Sequence, residues 1–151
     1  MEEFAFNTLE ELEEEYWGDS PFGVPSVDRT YNLRRVPLRE LTLAEVLFML
    51  GQKSGARYIV PLVLPLLRDN PLFEAEYYPG DLLENVLRSD PRIYLEMDAL
   101  RGEVIQIAHM ALALMPLRPE GIYRSVNQTL QPLLSSFISA FDDSALGASA
   151  T

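Results

Sequence analysis

The sequence predicts an all-α fold, organised as a single compact domain of about six or seven short helices. Helix-capping motifs recur along the chain, apolar residues follow them at helical spacing, and no segment alternates apolar with polar residues as a half-buried strand does. A chain of 151 residues, 48% of them hydrophobic, can bury one sizeable core and is short for a second. We therefore expect one domain over residues 1–144 and a frayed tail over 145–151.

The first helix is predicted by a capping box at Thr8–Glu11. In this motif the threonine and glutamate side chains each bind a backbone N–H that the helix leaves free. A helix over residues 9–17 is expected to follow. Glycines and prolines then interrupt any regular element, so residues 18–32 are predicted to form a connecting loop.

A second capping box, Thr42–Glu45, opens an apolar run that is expected to end with Gly51 as a left-handed cap. Residues 58–68 are apolar nearly all round, which is typical of a helix buried on most faces. Pro61 is tolerable in its first turn. Pro65 would remove an interior hydrogen bond and is expected to kink the helix.

Aspartate marks the predicted starts of the next two helices. After the turn Tyr77–Gly80, Asp81 is expected to cap a helix that continues to Leu87. Asp90 is expected to cap another helix, with Pro91 in its first position, where a missing N–H costs little.

The two longest helices are predicted in the last third of the chain. One covers residues 98–115 and is closed by Pro116 and Pro119. The other covers residues 120–141, which carry an apolar stripe at helical spacing, and Pro132 is expected to bend it.

The charge balance argues against a nucleic-acid ligand. Acidic residues outnumber basic ones by 23 to 12, giving a net charge of −11. Nucleic acids are bound by Lys and Arg contacts that release counterions, so direct binding is not expected. The one candidate basic patch is small and lacks the interleaved aromatic residues of a strand-binding platform. It consists of Arg29, Arg34, Arg35 and Arg39.

Neither a membrane span nor a secretory leader is expected. The longest apolar stretches, 58–67 and 105–117, contain prolines or polar residues and fall short of the roughly 20 residues of a span. Met1 is followed by two glutamates, the reverse of a cationic leader. The chain has no cysteine, which fits a reducing compartment, and we expect a cytoplasmic protein.

Catalytic and metal-binding signatures are scarce, and no metal or cofactor is expected. With no cysteine and a single histidine, a zinc site would depend almost wholly on carboxylates, whereas zinc favours nitrogen and sulfur ligands. His109 lies in an apolar helical context and is expected to be packed, with a backbone partner. Two carboxylate pairs could share a proton or hold magnesium, although such pairs also arise by chance among 23 acidic residues. They are Glu74 with Glu76, and Asp81 with Glu84.

Two acidic surfaces are candidates for binding a basic partner protein. The first twenty residues carry eight carboxylates and no basic side chain, and the run ends in an aromatic pair suited to anchor an interface. The alternatives are a solvated helix face for the acids and a core position for the tryptophan. The first surface comprises Glu10, Glu11, Glu14, Glu15, Tyr16, Trp17 and Asp19. The second, with acids beside two tyrosines of which one is expected to be buried, comprises Asp69, Glu74, Glu76, Tyr77 and Tyr78.

Several short motifs together resemble one protein family. They are Leu33–Thr42, Leu50–Gln52, Tyr58–Leu62, Asn70–Leu72 and Tyr78–Leu83, and residues 9–17 look like the start of the same family. In this combination they resemble the immunity proteins of bacterial contact-dependent growth inhibition systems. Pro65 and the Glu74–Glu76 approach to the tyrosine turn depart from the family pattern, and residues beyond about 117 have no clear counterpart in it.

The resemblance implies a cytoplasmic protein, not an enzyme, that binds and neutralises the toxic C-terminal domain delivered by a neighbouring cell. Many such toxins are nucleases with basic grooves, which suit an acidic inhibitor. An acidic helical adaptor or regulatory protein with a non-toxin partner is the alternative. The resemblance leaves open the toxin's activity, the oligomeric state and the role of residues 120–141. The shared motif residues are expected to serve turns and caps: Gly51, Pro61, Pro79, Gly80 and Asp81.

Overall fold

A computed structural model describes residues 3–20, 23–115 and 121–142, and within these ranges the chain forms helices and no strand. The all-α prediction is therefore confirmed. Two short 3₁₀ helices cover Glu3–Phe6 and Leu38–Glu40. The eight α-helices of the described ranges are α1 (Leu9–Glu13), α2 (Pro25–Leu33), α3 (Leu43–Gly51), α4 (Ala56–Asp69), α5 (Asp81–Leu87), α6 (Arg92–Glu96), α7 (Asp98–Leu114) and α8 (Ile122–Phe141).

The chain divides into two compact units, Met1–Leu62 and Val63–Thr151, and the boundary falls within α4. In the first unit the two 3₁₀ helices contact each other, and α2 packs against α3. In the second unit α7 packs against α6 and α8, and α8 also packs against α5. One domain over residues 1–144 stays a prediction.

A close approach of α1 to the start of α4 organises the core of the first unit. Leu9 is fully buried, and a Cβ atom on Gly55 would lie 2.4 Å from its Cδ1 atom. Gly55 also has a positive φ of 76°, which L-residues with a side chain rarely adopt. Position 55 therefore favours glycine, because any other residue would be strained in this backbone conformation and would displace the end of the Leu9 side chain.

An aromatic cluster ties the helices of the second unit together. Tyr94 of α6 is fully buried, and its hydroxyl donates to the carbonyl of Val86 in α5 at 2.6 Å. Its ring meets Phe137 of α8 edge to face, with 4.9 Å between the centroids, and Phe141 at 5.8 Å. Such pairs add roughly 0.5–1.5 kcal/mol beyond the burial of their area.

The predicted loop over residues 18–32 is wrong in its second half, where α2 forms instead. Pro25 occupies the first position of that helix, where its fixed φ suits the helix and its missing N–H needs no partner. Pro25 therefore starts a helix, although the neighbouring glycines and proline had indicated a loop. Helix α2 supplies Arg34 at its end and Tyr31 within it, and both side chains shape the site described below.

The other boundaries follow the sequence more closely. The capping box at Thr42–Glu45 is present, and α7 and α8 lie within two residues of their predicted limits. Helix α4 starts two residues earlier than predicted and continues through both of its prolines. The predicted closure of α7 by Pro116 and Pro119, and the tail over 145–151, lie outside the described residues.

Candidate functional site

The acidic N-terminal segment forms a shorter helix than its sequence indicates. The predicted capping box is present, with the Thr8 hydroxyl accepting from the Glu11 N–H at 3.2 Å and the Glu11 carboxylate accepting from the Thr8 N–H at 3.0 Å. Glu14 then adopts the left-handed conformation, with φ of 53°, and this ends α1 at Glu13. A helix reaching residue 17 is therefore wrong, and the aromatic pair lies in the irregular segment beyond it.

Arg34, which is buried in the first unit, holds this segment through an ion pair and hydrogen bonds. Its side chain is 2% exposed, and its Nη1 lies 2.5 Å from Oε1 of Glu13. Nη2 donates to the backbone carbonyl of Glu15 at 3.2 Å, and Nη1 also donates to the Ser54 hydroxyl at 3.4 Å. A buried guanidinium requires a counter-ion and acceptors for its N–H groups. Glu13 therefore serves the fold as the counter-ion of Arg34.

Arg35 holds the same segment from the outside. Its Nε lies 3.3 Å from Oε1 of Glu10, and its Nη2 donates to the carbonyl of Gly18. Asp19 lies at 3.9 Å from the same guanidinium but its side chain is fully exposed. Part of the acidic run thus pairs with the protein's own arginines, and the segment that follows α1 is held by hydrogen bonds to its backbone at two points.

Trp17 lies between these arginines and α2. The guanidinium carbon of Arg34 is 4.2 Å from the centroid of the Trp17 ring, and the Tyr31 ring meets the indole edge to face at 4.9 Å. Trp17 keeps 38% of its surface exposed. The indole therefore packs on Arg34 in a cation–π contact while part of its surface stays accessible to solvent.

In the fold, aromatic side chains from elsewhere in the sequence pack against three arginines of the predicted basic patch. Besides Arg34 on Trp17, the Arg29 guanidinium lies 4.3 Å from the centroid of Phe48, and that of Arg39 lies 4.8 Å from Phe6. These contacts link residues far apart in the sequence. They engage three of the four arginines within the chain, and the fourth, Arg35, pairs with Glu10.

The residues of the first predicted surface differ in solvent exposure and in the contacts they make. Glu10 is half-buried in its ion pair, and Glu11 is exposed but serves the capping box. The backbone hydrogen bond from Thr8 lowers the pKa of the Glu11 carboxyl. The members that are exposed and outside the capping box and the Glu10 ion pair are Glu14, Glu15, Tyr16, Trp17 and Asp19.

The second predicted surface is organised by a buried carboxylate. Asp81 is 1% exposed, and its Oδ1 accepts from the N–H of Ala75 at 2.7 Å. Its Oδ2 accepts from the N–H groups of Glu76 at 3.0 Å and Tyr77 at 2.8 Å. The predicted cap role is wrong, because Gly80, with φ of 86°, is the N-cap of α5 and Asp81 is its first residue. Asp81 fixes the preceding loop instead.

This loop exposes one tyrosine and covers part of the other, whereas the sequence predicted that one of the two would be buried. Tyr77 is 71% exposed, and the acids on either side of it, Glu74 and Glu76, are exposed as well. Tyr78 is half-buried, and its hydroxyl donates to Glu84. Asp69 is exposed at the end of α4.

The hydrogen bond of Tyr78 places its proton in a network of charged groups. Oε1 of Glu84 lies 3.2 Å from Nε of Arg88, while its Oε2 accepts from Tyr78. Burial, followed by the hydrogen bond to Glu84, raises the pKa of Tyr78 to about 12 from the usual 10. Glu84 is therefore held by two partners within the chain.

Alkaline unfolding is expected to report this shift. Because the folded pKa lies above the unfolded one, the native state keeps its proton between pH 10 and about 12 while the unfolded chain loses it. The stability that Tyr78 contributes is thus complete below pH 10 and lost as the pH rises towards 12. Urea midpoints measured across this range should fall less steeply in Tyr78→Phe than in the unaltered protein. Tyr77→Phe, at the exposed tyrosine, is the control. If the urea midpoints of Tyr78→Phe and the unaltered protein fall with pH at the same slope, the assignment is refuted.

Besides Asp81, two of the shared motif residues have roles other than those expected. Gly51 is the last residue of α3, and the left-handed residue after it is Lys53, with φ of 57°. The predicted glycine cap is therefore wrong. Pro61 lies inside α4, whose start at Ala56 is earlier than the sequence indicates. Gly80 needs its positive φ, and a Cβ there would approach Leu130 to 3.1 Å.

The single histidine lies at the surface beside a carboxylate. His109 is exposed, and its Nε2 lies 3.2 Å from a carboxylate oxygen of Asp142, so the packed position with a backbone partner is wrong. Within the described ranges, no group of three or more His, Cys, Asp or Glu residues is arranged to hold a metal ion. In the same ranges no helix combines the length and apolar character that crossing a membrane requires.

A cleft of about 350 Å³ opens beside the first surface, and no sequence motif predicted it. It is formed by the segment after α1, one face of α2 and the turn between α3 and α4. Arg34 forms part of its lining, and Trp17 and Tyr31 supply aromatic walls. The other lining residues are Glu13, Glu15, Val27, Thr30, Gln52, Lys53, Ser54 and Gly55.

The sequence was compared with models of known protein families, and one of them matches. A model of the CDI immunity proteins matches residues 11–104, which is more than half of the chain. The matched range extends from α1 into α7 and includes the cleft residues and the loop held by Asp81. No curated protein and no solved structure matches the chain.

Proposed function

Because the chain belongs to the family of CDI immunity proteins, we propose that it binds and neutralises the toxic C-terminal domain of a contact-dependent growth inhibition effector in the cytoplasm. The family match over residues 11–104 is the observation that carries this proposal. The protein acts by binding, with no cofactor and no catalysis of its own.

The toxin that best suits this protein is a basic one, with a nuclease as the leading class. The net charge of −11 attracts a positively charged partner over several ångströms and speeds its association. A nuclease groove is basic because it binds phosphates, and an acidic inhibitor competes with them there. Charge supports this choice of toxin class, and the family match carries the immunity role itself.

We place the toxin-binding surface on the segment that follows α1. Glu14, Glu15 and Asp19 supply exposed carboxylates around Tyr16, which is 68% exposed, and the half-open face of Trp17. Arg34 and Arg35 hold the backbone of this segment, so a partner that binds it loses little conformational entropy. Tyrosine and tryptophan are the residues that most often dominate binding energy in such interfaces.

Co-expression tests the function. We expect cells that produce the toxic C-terminal domain encoded beside this chain to survive when the chain is present, and the two proteins to co-purify. The purified toxin domain should cleave DNA or RNA, and a molar equivalent of the chain should abolish that cleavage. Death of the cells despite a well-folded helical protein, with no complex, would favour an acidic adaptor that binds a non-toxin protein. Rescue by a complex whose toxin cleaves no nucleic acid would reject only the nuclease class.

Two exposed tyrosines, both beside acids, decide between the candidate surfaces. Tyr16→Ala is expected to weaken the toxin complex about tenfold or more, which corresponds to roughly 1.4 kcal/mol. Tyr77→Ala is the matched control, since Tyr77 is 71% exposed against 68% for Tyr16. The dissociation constants are measured by isothermal titration calorimetry. The opposite ranking would move the interface to the loop of Glu74, Glu76 and Tyr77.

A further inference from the structure

The cleft beside Trp17 has a lining whose formal charges cancel. Two carboxylates and two cations face it, and a volume of about 350 Å³ is enough for a loop tip of another protein and is close to the lower limit of ligand sites. A charged occupant would gain attraction from one pair and repulsion from the other. The lining therefore favours a neutral group with both a donor and an acceptor. The four charged residues are Glu13, Glu15, Arg34 and Lys53.

Arg34 forms part of the lining of this cleft, and the fold leaves its Nε unused at a depth that an occupant reaches only by displacing neighbouring side chains. The side chain is 2% exposed, and within the described ranges its buried Nε has no hydrogen-bond acceptor. Its two terminal nitrogens are engaged by Glu13, by Ser54 and by the carbonyl of Glu15. A buried donor without a partner destabilises the free protein. An occupant that brings an acceptor to Nε removes this penalty, which adds to its binding free energy.

The chemistry of the lining selects among occupants. A lysine or arginine of the partner would leave Nε of Arg34 without an acceptor. A carboxylate would supply an acceptor, but would lie in the same cleft as Glu13 and Glu15. An amide satisfies both requirements, because its carbonyl accepts from Nε and its N–H donates to the exposed carboxylate of Glu15. Its planar shape also suits the flat walls made by Trp17 and Tyr31.

We propose that the cleft receives an amide-bearing loop of the toxin, with an amide carbonyl bonded to Nε of Arg34 and an amide N–H bonded to Glu15. This rests on the proposed function, since the occupant is part of the toxin. It adds a specific pocket to a surface that otherwise recognises its partner by charge and by aromatic contact. Specificity among toxins then depends on a loop that fits beside Trp17 as well as on net charge.

The single tryptophan of the chain provides a direct probe of the cleft. Labelling with 5-fluorotryptophan gives one ¹⁹F resonance, from Trp17, that unlabelled toxin domain does not obscure. We expect this resonance to shift when the toxin domain is added. The Nε–Hε signal of Arg34, assigned by its loss in Arg34→Lys, is expected to move downfield, as it does when an N–H gains an acceptor.

A matched pair of substitutions on α2 tests the pocket by filling it. Val27 lines the cleft, whereas Val24 is 45% exposed and lies outside the lining. Val27→Phe is expected to weaken toxin binding about tenfold and Val24→Phe to leave it unchanged. The ratio of the two variants' dissociation constants should stay constant between about 0.05 and 0.3 M salt, because salt does not screen the contacts of a neutral occupant. A ratio that falls with salt would identify a charged group and overturn the amide assignment.

The outcomes separate this proposal from the immunity function. If a complex forms and cells are rescued, but Trp17 does not shift and Val27→Phe binds like Val24→Phe, the cleft is not a toxin pocket and the function stands. If the Trp17 signal shifts while the Arg34 Nε–Hε signal does not, the occupant lacks the acceptor and the amide bond is wrong. If no complex forms with the toxin domain, both proposals fail.

Discussion

Replacing Asp81 with asparagine is expected to lower the free energy of unfolding by about 3 kcal/mol. The carboxylate of Asp81 is 1% exposed and accepts three backbone hydrogen bonds, at distances of 2.7–3.0 Å. A hydrogen bond to a charged acceptor contributes about 1.5–3 kcal/mol, and a buried donor left without an acceptor costs about 1–3 kcal/mol. Asparagine keeps one acceptor oxygen and turns an NH₂ group towards N–H donors, so at least one bond is lost and replaced by a repulsive contact.

Urea unfolding followed by circular dichroism measures this change, and Asp69→Asn is the matched control. Asp69 is exposed at the end of α4, so its substitution should change stability by less than about 0.5 kcal/mol. Amide exchange of Ala75, Glu76 and Tyr77 should accelerate in Asp81→Asn even where the helices remain protected. Equal stability of the two variants, with unchanged exchange in the loop, would show that Asp81 does not fix it.

The role of Asp81 shows where a local pattern is ambiguous. An aspartate after a tyrosine-proline-glycine turn and before an apolar run fits an N-cap, which binds N–H groups ahead of it in the sequence. In the structure its carboxylate binds N–H groups behind it, in residues 75–77. The two arrangements use the same residue type at nearly the same position. Gly80 decides between them, because its positive φ makes it the cap and places Asp81 inside the helix.

Helices with self-contained start signals were predictable, whereas α2 was not. The boxes at Thr8–Glu11 and Thr42–Glu45 use only residues within one turn, so the sequence contains the whole signal. Helix α2 begins at Pro25 without a side-chain hydrogen bond from its N-cap residue, Val24. With no such cap, a proline among glycines indicates a loop and a first helical residue equally well. Packing against α3 accompanies the helix, and no local pattern reveals it.

The acidic segment illustrates the limit of composition as a guide to a binding site. Its charge and its aromatic pair were evident from the sequence, and Glu14, Tyr16 and Asp19 are exposed. The pairing of Glu13 with Arg34 joins residues 21 positions apart and has no local signature. Such contacts decide which carboxylates are available to a partner. The cleft was missed for the same reason, since three separate segments form it.

The second large effect is expected on replacing Arg34 with methionine, which fills similar space without charge. The guanidinium is 2% exposed and links Glu13, the carbonyl of Glu15 and the ring of Trp17. Removing one partner of a buried pair commonly costs 3–5 kcal/mol, because the other charge is left uncompensated. The side chain of Glu13 is 29% exposed, so its charge can be partly rehydrated, and we expect about 3 kcal/mol, the lower end of that range.

Arg35→Met is the matched control for Arg34→Met, because the two arginines are adjacent and both pair with a glutamate of α1. The side chain of Arg35 is 39% exposed, so its substitution should cost no more than about 1 kcal/mol. Adding Glu13→Gln to Arg34→Met should recover part of the loss, since it removes the orphaned charge. If the double variant is less stable by the full sum of the single effects, Glu13 and Arg34 are energetically independent. In that case the buried pair would not be what holds the N-terminal segment in place for binding.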